Sequence, residues 1–230
     1  MADRLTAAVF ASGGGSNLQA LLDHQSLDPP WRVGLVVSDR EDAGALERAA
    51  QAGVATVWVP TRERGPDDVA RDTLAALRGA GVDVIFLAGY MKLVPEAVVR
   101  AYRGKILNIH PALLPSFGGK GMYGMHVHRA VVASGARITG PTVHLVDEEY
   151  DRGPIVAQWP VPVLPGDTPE DVARRVLEAE HRLYPRAADH VCRAIAGGEE
   201  PGPLPWPDTR FYMNEHERNT GDQRSGSEDE

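Results

Sequence analysis

The chain has 230 residues, 43% of them hydrophobic and 24% charged, with a formal net charge of −8; this is room for one substantial core and the balance of a globular protein. Half of the negative excess sits in residues 208–230, where seven acids meet three bases for a net of −4, so the body is only mildly acidic and a general nucleic-acid surface is excluded. No apolar run approaches the length of a membrane span, no signal peptide fits Met1-Ala2-Asp3-Arg4, and the single cysteine, Cys192, offers neither an internal disulfide nor a Cys/His zinc site. A cytoplasmic protein is expected, monomer or homodimer, with no metal, no nucleic acid and no membrane among its partners.

In chain order, strands alternate with helices. Leu5–Ala11 is a short apolar run, followed by a glycine loop and a helix opening at Asn17–Leu22. Val33–Val37 reads as a strand, Ala45–Ala52 as a helix capped by Gly53, and Ala55–Val59 as a third strand. Val69–Arg78 is an amphipathic helix. Val82–Ala88 is a continuous apolar strand of the kind buried on both faces. A short helix at Pro95–Tyr102 leads to a strand at Lys105–Ile109. This alternation predicts an α/β fold, a Rossmann-like, doubly wound and mostly parallel sheet.

The pattern changes after about residue 115. Ser116–Gly124 is a Gly-rich loop, expected to form a mobile flap, and His126–Ser134 is helical. Pro141–Val146 and Ile155–Val163 alternate as two strands, expected to be antiparallel. Thr168-Pro169-Glu170-Asp171 is a helix start, with a capping Thr, Pro in the first turn and acids at the positive end. That helix should run to about Tyr184, where Pro185 breaks or kinks it. From about Asn214 the chain is polar and expected to be disordered.

Two loops carry the candidate chemistry. Ser12-Gly13-Gly14-Gly15-Ser16-Asn17 links the first strand to the first helix, where backbone N–H groups and the helix dipole attract an anion. Three successive glycines exceed the needs of a tight turn. A dinucleotide fingerprint would need a third spaced glycine, where Leu18 stands; Asp39, placed where a ribose-binding acid would sit, keeps a nicotinamide enzyme as a weak alternative. A single phosphate monoester fits better.

The second loop is Asn108-Ile109-His110-Pro111-Ala112-Leu113-Leu114-Pro115. Strand alternation puts Asn108 and His110 on one side, a neutral amide donor beside a proton-transferring imidazole, which suits an oxyanion. Asn17 and Asn108 are the only asparagines before residue 214. In the acidic stretch Asp147-Glu148-Glu149-Tyr150-Asp151, the Gly153-Pro154 turn sets Asp151 apart. A carboxylate there, if it meets His110, would favour imidazolium and raise its pKa. His126 and His128 are two apart, not at the spacing of a helical metal pair, and are read as a helix start with one ring packed under the loop.

Ser12–Ala20, Leu87-Ala88-Gly89-Tyr90-Met91, Asn108–Pro115 and Asp151-Arg152-Gly153-Pro154-Ile155 resemble, in order, the motifs of the phosphoribosylglycinamide formyltransferase family. The likeness runs from about Leu5 to Ala196. It implies transfer of a formyl group from 10-formyltetrahydrofolate, the co-substrate, to the amine of glycinamide ribonucleotide in purine synthesis, with no metal. By that resemblance Asn108 would bind the formyl oxygen, His110 would donate the proton and Asp151 would tune it. Gly15, Ser16, Asn17 and Glu180 would meet the ribonucleotide. Arg64, Met91, Lys92, Leu93, Val94, Asn108, Asp147, Tyr150 and Asp151 would line the folate side. The implied division is a formyltransferase domain over 1–200, its phosphate-binding half about 1–104 and its folate-binding and catalytic half about 105–200, then an extension over 201–230.

The chain departs from the family at Gly14, where many relatives carry a polar side chain, and around Arg62-Glu63-Arg64, where the register is ambiguous. Rivals within the superfamily are a formyltetrahydrofolate hydrolase, which usually carries an additional amino-terminal domain, and a methionyl-tRNA formyltransferase, which usually carries a basic carboxyl-terminal barrel. A non-catalytic nucleotide-binding module would account for the glycine loop but not for Asn108, His110 and Asp151.

Overall fold

The computed structural model describes residues 4–205; the expected disorder from Asn214 lies outside them. Five strands, β1 (Leu5–Phe10), β2 (Trp31–Ser38), β3 (Ala55–Trp58), β4 (Val84–Leu87) and β5 (Ile106–His110), pair in parallel in the order β3-β2-β1-β4-β5. β7 (Thr142–Leu145) and β8 (Ile155–Gln158) continue the sheet antiparallel beyond β5. The helices are α1 (Ser16–His24), α2 (Gly44–Gln51), α3 (Pro66–Gly79), α4 (Glu96–Ala101), α5 (Met125–Ser134) and α6 (Pro169–Ala196).

Side-chain alternation splits the core into two layers. Along β1, Ala7 and Val9 pack with α1, α5 and α6, while Ala8 and Phe10 pack with α3 and α4. β4 divides the same way, Val84 and Phe86 against Ile85 and Leu87. Apolar residues on both faces are what a central parallel strand needs. In β5 the rule puts Asn108 and His110 on the side of Ile106, opposite Leu107 and Ile109.

Two sequence expectations fail. Ile155–Val163 is not one strand: it breaks after Gln158 and resumes as β9 (Val161–Pro162), which pairs with β6 (Ile138–Thr139) in a separate two-stranded sheet. Pro160 has no N–H to continue the ladder. Gly140, opposite the break, sits so close that a Cβ there would lie 1.8 Å from the Trp159 carbonyl oxygen. Nor does α6 end near Tyr184. Its Thr168–Asp171 capping box starts it as read, but it continues through Pro185 to Ala196. Proline in a helix interior costs about 3 kcal/mol. Here the buried stripe continues in helical register on both sides, Val176, Ala179, Leu183 and then Ala187, Val191, so unwinding at Pro185 would expose more than it relieved.

Beyond the paired carboxyl ends of β1 and β4 the chain leaves to opposite faces, to α1 and to α4, where the sheet order reverses, the position at which open α/β sheets bind ligands. Ser12 ties the loops there together. Its hydroxyl donates to Asp39 Oδ1, its Oγ accepts from the Met91 N–H at 2.8 Å, and its N–H reaches the Gly89 carbonyl at 3.1 Å. Asp39 thereby gives one carboxylate oxygen to the scaffold of these loops.

Candidate active site

A cleft of about 700 Å³ opens at this switch point. One end is the glycine loop, Gly13 to Asn17; the walls include Leu87 to Val94, Asn108 to Pro111, Asp147 and Glu149 to Asp151; the Gly-rich segment 119–124 and α6 residues Leu177 and Glu180 also line it.

The glycine loop has its shape because α2 presses on it. Gly15 caps α1 with φ 76°, and a Cβ there would lie 2.8 Å from Ala45 Cα. Only glycine meets both demands. Arg48 of α2 donates to the Gly14 carbonyl at 2.7 Å, and Gly13 to Asn17 all line the cleft. Asn17 is turned inward: its Nδ2 donates to Glu180 Oε2 at 2.6 Å, and its Oδ1 is buried with no partner among the described residues. Burial pushes the Glu180 carboxyl up to about 7, with the Asn17 hydrogen bond partly opposing it.

On the other wall Asp151 gathers three elements. Its Oδ2 lies 3.6 Å from His110 Nδ1 and accepts the Gly119 N–H at 2.8 Å, and its Oδ1 lies 3.6 Å from His144 Nε2. Asp151 holds this position in the left-handed region, φ 54°, just before a turn that only glycine permits: a Cβ on Gly153 would lie 1.8 Å from the Leu145 carbonyl oxygen. Burial raises the Asp151 carboxyl, but hydrogen bonds and the neighbouring imidazoles bring it below its ordinary value.

The expectation that the carboxylate would raise the His110 pKa is corrected. Asp151 and the Phe117 carbonyl, 2.8 Å from Nε2, do favour imidazolium, but desolvation outweighs them and the net shift is downward. The ring is 3% exposed, too dry for one carboxylate at 3.6 Å to compensate.

A family model described as formyl transferase matches residues 5–188. The chain is 46% identical over 200 residues to phosphoribosylglycinamide formyltransferase, chloroplastic, of Arabidopsis thaliana, spanning 85% of this chain and 68% of that one. It is 38% identical over 179 residues to phosphoribosylglycinamide formyltransferase of Escherichia coli, spanning 77% and 82%. The crystal structure of glycinamide ribonucleotide transformylase 1 from Symbiobacterium toebii superposes with TM-score 0.79 at 40% identity, covering 84% of this chain and 90% of that chain. The chain belongs to the formyl transferase family.

Within this formyl transferase, Gly15, Ser16, Asn17, Met91, Lys92, Leu93, Val94, Asn108, His110, Asp147, Tyr150, Asp151 and Glu180 all line the one cleft. Arg64 is not among its lining residues; it donates to Asp72 at 2.6 Å and to the Pro60 carbonyl at 3.4 Å. One further lining residue, His144, escaped the sequence reading, and another, His128, was read only as one of two candidates for a packing ring. His144 pairs with Asn108 across β5 and β7, its Nε2 3.0 Å from Asn108 Nδ2. His128, 6% exposed, lines the cleft with its Nδ1 unpartnered among the described residues, and burial lowers its pKa. The alternation of Thr142 and His144 in a strand-like run was the available signal for His144; its partner strand was not readable.

Proposed function

We propose that the chain transfers the formyl group of 10-formyltetrahydrofolate to the primary amine of glycinamide ribonucleotide, a step of purine synthesis. The observation that carries this is that Asn108, His110 and Asp151, the last two 3.6 Å apart, line the same cleft as the glycine loop Gly13 to Asn17. The loop's N–H groups and Ser16 take the phosphate. Glu180, with Asn17, takes a polar group of the ribose side. Met91 to Val94 and Asp147 to Tyr150 form the folate side, and Arg64 is an outlying candidate for its acidic end.

The amine nitrogen attacks the formyl carbon, and the carbonyl electron pair moves onto oxygen. An N–H of Asn108 and the positive charge of the imidazolium form of His110 stabilise that oxyanion. The intermediate collapses, the bond from carbon to the folate nitrogen breaks, and that nitrogen takes up a proton as the attacking nitrogen loses one. Asp151 keeps His110 able to hold its proton against the cost of burial.

The test mixes the full chain with glycinamide ribonucleotide and 10-formyl folate and follows the deformylated folate by absorbance. Formylated ribonucleotide and deformylated folate in equal amounts are expected. Deformylation that proceeds with water and ignores the ribonucleotide would overturn the assignment.

A further inference from the structure

His144 lies opposite Asn108 in the β5–β7 register and is 2% exposed. Its Nδ1 is 2.9 Å from the Leu145 carbonyl oxygen. A carbonyl only accepts, so Nδ1 carries the hydrogen. In the neutral ring Nε2 is then a bare acceptor. Asn108 Nδ2 lies 3.0 Å away and donates to it. Asp151 Oδ1 lies 3.6 Å from the same nitrogen, farther than the amide's 3.0 Å, so in the neutral ring the nearer amide holds the lone pair.

Turning the Asn108 amide over would set its carbonyl oxygen against that lone pair, two acceptors with no proton between them beside a His144 ring that is 2% exposed. Such a pair forfeits a hydrogen bond and leaves both groups unsatisfied. We propose that His144 is a positioning residue that holds the Asn108 amide in one orientation, so that its nitrogen spends one N–H on His144 and keeps the other for the formyl oxyanion. The tautomer is set by the Leu145 carbonyl and passed on to the donor through a single acceptor atom. This inference rests on the formyl-transfer reading for its purpose, while the hydrogen-bond lock itself does not.

Two substitutions separate this role from simple packing. In His144→Gln the amide oxygen falls near the place of Nε2 and can still accept from Asn108. In His144→Asn the side chain falls near Nδ1, so it can keep the Leu145 contact and loses the Asn108 acceptor. The lock predicts that Gln keeps kcat within about tenfold of the natural protein. Asn should lose about a hundredfold, the low end of what loss of one oxyanion donor costs, with KM for the ribonucleotide little changed. An Asn variant as active as the Gln variant, or a loss confined to KM, would overturn the proposal. A second measurement needs no variant activity: nitrogen-15 shifts of the His144 ring in the full chain, assigned by the signal that His144→Gln removes, should report the Nδ1–H tautomer at neutral pH. The Nε2–H tautomer would overturn the lock. Absence of turnover by the natural protein would sink the functional reading, and the tautomer would then still decide the lock.

Discussion

His110 is held by contacts that ask for two different charge states. Its Nε2 faces the Phe117 carbonyl at 2.8 Å and must carry a hydrogen there, which in the neutral ring leaves Nδ1 bare toward Asp151. Protonation of Nδ1 turns that second contact into an ion pair, and burial resists it. The working charge state therefore depends on Asp151. Asp151→Asn removes the charge and keeps an acceptor for the Gly119 N–H, so the fold should survive. We expect kcat at neutral pH to fall by about a hundredfold or more. The sign of the pH effect follows: activity that needs imidazolium falls as pH rises through the His110 pKa, and loss of the carboxylate lowers that pKa further. The alkaline limb of the kcat profile should move to more acidic pH. Near-normal turnover with an unmoved limb would refute the role.

Among the elements, β5 carries the site's geometry, and α6 holds it at Leu107. The Tyr184 hydroxyl, fully buried, lies 3.0 Å from the Leu87 carbonyl and 3.1 Å from that of Leu107, bridging the end of β4 to β5 one residue before Asn108. Tyr184→Phe removes the one buried O–H donor that these two carbonyls share, and should cost about 1–3 kcal/mol in denaturant unfolding. It should also lower kcat more than it raises KM, because Asn108 is next along the strand. An unchanged unfolding midpoint would show that the bridge carries no load. Much of this was legible in the sequence. Apolar runs and glycine punctuation located β1, β4 and β5 within a residue or two, and alternation placed Asn108 and His110 on one face. What failed depended on contacts distant in the chain. Pro185 looks like a stop until the buried stripe on both sides is weighed. Trp159-Pro160 looks like strand until Gly140 is seen against it. His144 looks like one more strand residue until the antiparallel register sets it under Asn108.

Across the whole molecule, α6 ties the amino-terminal unit to the catalytic wall. Asp189 accepts from Trp31 Nε1 at 2.8 Å and lies 3.0 Å from His24 Nε2, fixing α6 against α1 and the start of β2. Further along, Glu180 meets Asn17 inside the cleft, and here the fold bears a cost. The ordinary value of that carboxyl is 4.5 and burial raises it to about 7. Between those values the folded protein keeps a proton that the unfolded chain releases. Stability therefore declines as pH rises through this window, and the full penalty is present above about pH 7. At 1.36 kcal/mol per unit it is on the order of 3 kcal/mol. Glu180→Gln resembles the protonated acid and still accepts from Asn17. Its melting temperature should exceed that of the natural protein above about pH 7 and converge on it as pH approaches 4.5. A carboxylate kept at such a cost fits a binding role, so the same variant should raise KM for the ribonucleotide even as it melts later. Parallel melting curves at every pH would mean that the carboxyl is not held neutral by the fold. A stabilised variant with unchanged KM would remove Glu180 from the substrate site.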